Sequence, residues 1–575
     1  MVILGLNAFH GDSSACILKD GKILNAIEEE RIRRIKHWAG FPSKAIMFCL
    51  KDAGIAISDV DYITISRDPS AHLGKKLVRS ISKLSNFNFI SERIKNLHKV
   101  ISLKEILASE LNVDIKMVRA KIRNIEHHRS HMASAFFASP FEKSAIISID
   151  GFGDFSSTMT GVGEGNKIKV LDNITFPHSI GIFYTAFTQF LGFPYYGDEY
   201  KVMGLAPYGK PIFMNKLKEV VRLTEDGLFK LNEKYFLHSN VGVSMTWENC
   251  APVVDSLFSD ELVAAFGIPR PKNEPLTDFH RDLAASVQQI TEDVIFHMMN
   301  HLHKRTGLKN ICVAGGVAQN SVANGKIKDK SPFTGIYIPS ASYDAGTAIG
   351  SALFLYNEIL GYERIEPMYS AYLGQSFSDD EMESLLNERK IKYSRFSEEE
   401  TIRKTAELLA EGYVIGWFQG KTEFGPRSLG NRSVLVDPSR PDAKDLLNAK
   451  IKKRESFRPF APSILREYVS EYFEHDDEAY FMEKVLQIKS EKRKIIPAVT
   501  HIDGSGRLQT VHKEISPKYY ALIDKFREMK GIPILLNTSF NENEPIVNTP
   551  QEALDCFLRT AMDALVLGNC LIFRQ

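Results

Sequence analysis

The chain has 575 residues, too many for one ordinary domain, and its net charge of +1 gives no whole-molecule reason to bind nucleic acid or a membrane surface. Hydrophobic content of 44% and charged content of 25% are a globular balance, with no apolar run long enough to span a bilayer. Six scattered cysteines without a C-x-x-C pair fit neither a disulfide framework nor a zinc knuckle, so a reducing cytoplasm is expected. The start, M-V-I-L-G-L-N, has no basic leader, and no signal peptide is expected.

Residues 2–8 read as a buried strand, followed by a loop carrying His10, Gly11, Asp12 and Ser13, a strand over 15–18, an Asp20-Gly21 hairpin turn and a strand over 22–27. Glu28 to Glu30, then Arg31, Arg33, Arg34, Lys36 and His37, form a charge run of the kind that usually lies on a solvated face. Lys36 could instead neutralise a phosphate. From Arg67 to Arg129 fourteen Lys/Arg stand against six Asp/Glu, which suits a solvated helical face or one wall of a site for anionic acceptors. His127 and His131 are four apart, one face of a helix, whereas His128 points about 100° round it. A strand over 145–149 ends at Asp150 and opens a glycine turn, Gly151 to Asp154, before a strand over 155–162. Two strand–loop–strand units separated by helices predict a duplicated architecture.

The segment Gly197 to Gly209 reads as a tight buried loop with Glu199 and Lys201 facing a site, or as bracing. A strand over 310–314 leads through Gly315-Gly316 into a helix from Val317, and a strand over 336–338 leads to Asp344, Gly346 and a helix over 347–356. Small residues there (Gly346, Ala348, Gly350, Ala352) would let a helix start press on a ligand. Gly151, Gly153, Gly315, Gly316, Asn320 and Gly346 are the nucleotide-binding candidates. Residues 361–370 read as a linker, and a new unit is expected around Phe396 with a helix over 398–411, a strand over 414–418 and a closing strand over 564–573.

His127, His131, Asp150 and Asp344 make a two-His, two-carboxylate set that suits Fe(II), Zn(II) or Mn(II), and residue types alone do not choose among them. His10 is placed to deprotonate an incoming hydroxyl, with Asp12 as a second candidate for base or Mg(2+) contact. The densest cluster is C-terminal: Arg427, Ser428, Arg432 and Ser433; Lys452, Arg458 and Ser463; Arg507 to Thr510; Asn537, Thr538, Ser539 and Asn541. Arginine forks among Gly, Pro and hydroxyl residues are the makings of an anion pocket.

The ordered series L-G-L-N, E-E-E-R, H-x-x-x-H, K-V-M-G-L-A, A-G-G-V, E-F-G-P-R-S-L-G-N-R-S, F-R-P-F-A-P-S and L-N-T-S-F-N resembles the NodU/CmcH/TobZ O-carbamoyltransferases over essentially the whole chain. The resemblance implies an α/β protein: an N-terminal actin-like ATPase (ASKHA) domain similar to TsaD over 1–365, fused to a YrdC-like α/β domain over 366–575. It implies that carbamoyl phosphate is consumed in the C-terminal pocket by Arg427, Arg432, Lys452, Arg458, Arg507, Asn537 and Ser539. Carbamate then reacts with ATP to give carbamoyl-adenylate, and a hydroxyl of a sugar or natural product accepts the carbamoyl group in the N-terminal site. It also implies Fe(2+) on His127, His131, Asp150 and Asp344, and catalytic or adenylate-binding roles for His10 and Lys36. Relatives often place Asp directly after the loop histidine, whereas here Gly11 intervenes before Asp12. The rival readings are a TsaD-like tRNA threonylcarbamoyl transferase, which would need tRNA and lack the fused C-terminal unit, and a HypF-like enzyme, which would reverse the domain order and carry zinc fingers. A non-catalytic ATP-binding scaffold would have no use for the arginine-rich pocket. Acceptor choice is expected to reside in 67–125 and 210–275.

Overall fold

The computed structural model describes residues 1–72, 74, 103–243, 245–248 and 251–574. Much of the basic stretch between Arg67 and Arg129, and Cys250, lie outside the described residues. The chain divides into two compact units: Met1–Arg33, His37–Asn320 and Ile327–Met368 form one, and Arg34–Lys36, Ser321–Lys326 and Tyr369–Gln575 form the other.

The first unit contains two five-stranded sheets with the same topology. In the first, Val2–Asn7 pairs antiparallel with Ser14–Lys19, which pairs antiparallel with Lys22–Glu28. Tyr62–Ile65 and then Lys121–Asn124 join in parallel on the other side of Val2–Asn7. In the second, Lys143–Gly153, Ser156–Glu164 and Lys167–Thr175 form the meander, and Asn310–Ala314 and Gly335–Tyr337 add in parallel. Both sheets therefore run third–second–first–fourth–fifth, the duplication that the paired strand–loop–strand units predict. Every residue of Val2–Asn7 is buried, as its continuous apolar run requires of a strand covered on both faces.

Helix His127–Phe136 packs on the second sheet and helix Thr347–Leu353 on the first, and the two helices pack against each other. The small residues of 346–352 allow close approaches of backbone. A Cβ at Gly350 would overlap the Ser130 carbonyl, one at Gly346 would overlap the Ala341 carbonyl, and Gly5 admits Ala348 to the first strand. The helix predicted over 347–356 is α-helical to Leu353 and continues as a π-helix over Phe354–Ile359.

Other expectations shift at element ends. The strand before Asp150 does not stop there: it runs through Gly153, with a register irregularity between Ile149 and Gly153, and turns at Asp154 and Phe155, both with positive φ. The helix expected from Val317 is a short 3-10 turn, Gly316–Gln319, followed by Ser321–Gly325. The expected loop with Glu199 and Lys201 is instead a helix, Glu199–Leu205, in which Thr185 donates to the half-buried Glu199 at 2.6 Å and Lys201 pairs with Asp198 at 2.9 Å, contacts that brace it.

The second unit is built on one nine-stranded sheet. Its strands, in spatial order, are Ser394–Arg395, Cys570–Phe573, Ala564–Leu567, Ile415–Phe418, Arg432–Val436, Ile534–Ser539, Ala461–Leu465, Ser505–Val511 and Lys484–Gln487. Helices Glu398–Ala410 and Pro517–Lys530 pack together beside it. Helix Asp379–Glu388 precedes Phe396, so this unit starts earlier than its expected first element. The closing strand is a hairpin, because Gly568 adopts φ 61° and reverses the chain after Leu567. Among the described residues no helix is long and apolar enough to cross a membrane.

Gly350→Ala should lower unfolding free energy by about 1–3 kcal/mol, as overpacking a close helix contact does. Denaturant titration of the two proteins checks this.

Candidate metal centre and anion site

Two hydrogen-bonded acids fix where the histidine helix starts. Glu126 caps it by accepting from Arg129 N at 2.7 Å, and Asp154 accepts from His127 N at 3.0 Å. His127 and His131 then stand one turn apart, and their Nε2 atoms approach to 3.1 Å. Asp150 reaches them from the second sheet and Asp344 from the turn before helix Thr347–Leu353. His127 Nε2 lies 3.2 Å from Asp150 Oδ2 and 3.5 Å from Asp344 Oδ1, and His131 Nε2 lies 3.4 Å from each.

All four side chains are buried, and their donor atoms lie within 4.8 Å of one another. Ligands about 2.1 Å from a single ion stand roughly 3.0 Å apart at octahedral angles and 3.4 Å at tetrahedral ones. Spacing and donor chemistry therefore fit one divalent ion. Electrostatics agree. Burial opposes charge on every member, yet Asp150 and Asp344 hold His127 well above the imidazole range. Burial likewise opposes the Asp344 anion, which His10, His127 and His131 nevertheless hold well below the carboxylate range. The cluster needs positive charge among its carboxylates, whether carried by protons or by a cation.

The glycines explain how Asp150 and His127 fit. Gly153 leaves room for the His127 ring, and Gly315, at φ 91°, lets the chain pass the Ile149 carbonyl. Gly316 N donates to Asp150 Oδ1 at 3.0 Å. A side chain at any of these three would clash, whereas a Cβ at Gly151 would make only an ordinary contact with Ile182, at 3.9 Å. Asn320 exchanges two 3.0 Å hydrogen bonds with Gln288, which also accepts from Tyr184.

His10 pairs through Nδ1 with Asp344, and its ring centroid lies 5.1 Å from that of His127. A carboxylate on Nδ1 orients an imidazole so that Nε2 can take a proton. Asp12 is not part of this cluster. It is buried with φ 55°, and its Oδ1 lies 2.7 Å from His37 Nδ1. With Glu30 it makes a separate group, and burial, partly offset by His37, pushes its carboxyl upward. Lys36 is exposed in a turn and groups with the second unit.

In that second unit the predicted cations divide into two kinds. The Arg432 side chain is fully buried, stacks 3.7 Å from the Phe418 ring centroid and donates to the carbonyls of Gln419, Asn431, Gln375 and Gly420. Burial pushes its guanidinium down to about 10. Both terminal nitrogens are thus committed to backbone carbonyls, which gives this arginine a structural role, while its Nε is buried without a hydrogen-bond partner. Lys452 is also buried, and its ammonium donates to Ser539 and to the carbonyl and side chain of Asn541, holding the loop after Ile534–Ser539.

Arg507 shares the unpartnered Nε of Arg432 but has neighbours of its own charge. Its guanidinium is pushed well below the arginine range by burial and by the charges of Arg427, Arg454 and Arg458. Four guanidiniums gathered in this way call for an anion. Arg454 escaped the sequence reading, although it stands in the same K-K-R-E-S-F-R run as Lys452 and Arg458. Asn537 is buried on the neighbouring strand beside Ser463.

Comparison with known proteins agrees with this division. Family profiles described as carbamoyltransferase N-terminus and carbamoyltransferase C-terminus match residues 2–353 and 406–574. An uncharacterized protein of Synechocystis sp. is 40% identical over 604 residues, covering 99% of this chain and 96% of its own. Nodulation protein NolNO of Sinorhizobium fredii is 39% identical over 576 residues, covering 99% of this chain and 80% of that protein. Among solved structures, (R)-2-hydroxyglutaryl-CoA dehydratase component A of Acidaminococcus fermentans covers 62% of this chain and 97% of its own at 14% identity, with a TM-score of 0.33, a likeness on which nothing here rests. The mixed α/β chain is thus a group-transferring enzyme. It belongs to the carbamoyltransferase family.

Two outcomes follow from the geometry. Elemental analysis of the purified protein should find close to one transition-metal ion per chain, lost in His131→Ala. Arg432→Met should destabilise the protein by at least about 2 kcal/mol, since it leaves several buried carbonyls without donors; chemical unfolding measures it.

Proposed function

We propose that this carbamoyltransferase is ATP-dependent and draws its carbamoyl group from carbamoyl phosphate. The observation that carries the reading is the gathering in the second unit of Arg507 with Arg427, Arg454 and Arg458, whose charges act on it. There water hydrolyses carbamoyl phosphate to carbamate and inorganic phosphate. Carbamate oxygen attacks the α-phosphorus of ATP, with Mg(2+) on its phosphates, and pyrophosphate leaves carbamoyl-adenylate. An acceptor hydroxyl then attacks the carbamoyl carbon, AMP departs, and the proton goes to a base. AMP is a far better leaving group than the hydroxide that carbamate itself would have to expel.

His10 is the base in this reading, supported by the Asp344 carboxylate on its Nδ1. His127, His131, Asp150 and Asp344 would hold Fe(2+) or another divalent ion, which when bound supplies Lewis-acid stabilisation of phosphate charge. Gly151, Gly153, Gly315, Gly316, Gly346 and Asn320 are the nucleotide candidates, and of the glycines Gly151 is the one least crowded by its neighbours. The equal strand order of the two N-terminal sheets supports an ASKHA-type, TsaD-like domain, and the C-terminal domain is read as YrdC-like. The acceptor is a small molecule with a free hydroxyl, a sugar or other natural product. Five described cysteines, all free and buried, favour a reducing cytoplasm.

ATP–pyrophosphate exchange tests the scheme. Exchange should appear only with carbamoyl phosphate present, and exchange indifferent to it would leave a nucleotide-binding scaffold instead. Arg458→Ala should abolish that exchange while metal content stays unchanged. His10→Asn should retain exchange yet release no AMP to an acceptor, as read by single-turnover chromatography.

A further inference from the structure

Gln509 stands two residues from Arg507 on strand Ser505–Val511, so both side chains leave the same face of the sheet. It is buried, and its Nε2 donates to the Leu429 carbonyl at 2.8 Å. A carbonyl only accepts, so this bond fixes which end of the Gln509 amide is nitrogen. Its Oε1 therefore faces the other way, where it accepts from Ser463 Oγ at 2.6 Å and from Asn537 Nδ2 at 3.1 Å.

The same logic passes to Asn537. One end of its amide lies 3.1 Å from Gln509 Oε1 and 3.2 Å from the Ser428 carbonyl. Both are pure acceptors, so that end must be the nitrogen. Ser463 Oγ and the Tyr519 hydroxyl also lie against Asn537. Oδ1 is left on the far side, in a residue only 1% exposed, buried and without a donor. The Ser428 hydroxyl is likewise buried without a partner, next in sequence to Arg427, whose charge acts on Arg507. A phosphate dianion offers only oxygens and cannot satisfy Asn537 Oδ1. An amide N–H can.

We infer that Gln509 is a positioning residue that turns the Asn537 amide so that Oδ1 accepts from the –NH2 of the bound acyl phosphate, making the pocket selective for an amide-bearing donor over one with a methyl group. This rests on the reading of the arginine cluster as a carbamoyl phosphate site. It also moves Asn537 from the phosphate end of the ligand, where sequence put it, to the carbamoyl end. The Ser428 hydroxyl can serve the same group, donating to its carbonyl oxygen.

Acetyl phosphate is the matched probe, since CH3 replaces NH2 and the phosphate is unchanged. Calorimetric titration of the full chain without nucleotide, using fresh carbamoyl phosphate, acetyl phosphate and inorganic phosphate, reads the selectivity directly. The wild-type protein should bind carbamoyl phosphate at least about tenfold more tightly than acetyl phosphate, because the latter leaves a buried acceptor unpaired. Gln509→Leu should bring that ratio below about threefold while inorganic phosphate binds as before, an outcome that a purely structural role would not produce. Equal wild-type affinities for the two acyl phosphates would overturn the inference and leave the cationic site standing, and this comparison needs no variant to fold. An unchanged ratio in Gln509→Leu, or parallel loss of inorganic phosphate, would also overturn it. Failure of the wild-type protein to bind any of the three would overturn the site assignment together with the inference.

Discussion

The constraint on which the first unit turns is the burial of two imidazoles and two carboxylates within 4.8 Å. Acids and imidazoles removed from water are tolerated only when their charges balance and their donors and acceptors are matched. The surrounding architecture supplies that match. Glu126 and Asp154 pin the helix start, Gly316 N holds one oxygen of Asp150, and His10 engages Asp344. The close approach of the helices bearing Ser130 and Gly350 then brings donors from the two sheets to one point. Fold and centre are in this sense one arrangement: the small residues that let the helices touch also set the distances between the ligating atoms.

The second unit shows how one residue type takes opposite roles according to what its backbone neighbours leave exposed. Arg432 meets four carbonyls and an aromatic face, so its charge is absorbed by the protein. Arg507 meets three other guanidiniums, so its charge is offered outward. Lys452 falls with the first kind, holding Ser539 and Asn541 in place. A cationic site needs both: cations satisfied by the chain to shape the loops, and cations gathered with others of their own sign to attract a ligand.

The four converging donors and the doubled strand order were legible in the sequence because each rests on a local signal: helical spacing for His127 and His131, a strand ending in an acid for Asp150 and Asp344. What sequence could not supply was direction. The glycine turns at 151–154 and 315–316 look alike whether they cradle a phosphate or admit a neighbouring ring, and only the His127 side chain at Gly153 and the Ile149 carbonyl at Gly315 decide between them. Asp12 and His10 are two residues apart in a loop where Phe9 and Asp12 both have positive φ, and they join different groups, Asp12 with Glu30 and His37 and His10 with Asp344. Arg432 and Arg507 could not be told apart by residue type, because the difference lies in carbonyls brought from Gln375 to Asn431 by the tertiary fold.

The route of the chain through the first unit also governs when its centre can exist. Asp344 belongs to a turn that follows the last strand of the second sheet, and helix Thr347–Leu353 closes the first sheet only after that. A nascent polypeptide emerging from the ribosome can make its histidine helix and its opening meanders early, but it holds an incomplete ligand set until nearly the entire unit has been synthesised. Any ion that these four groups hold would therefore be taken up only at the final docking event.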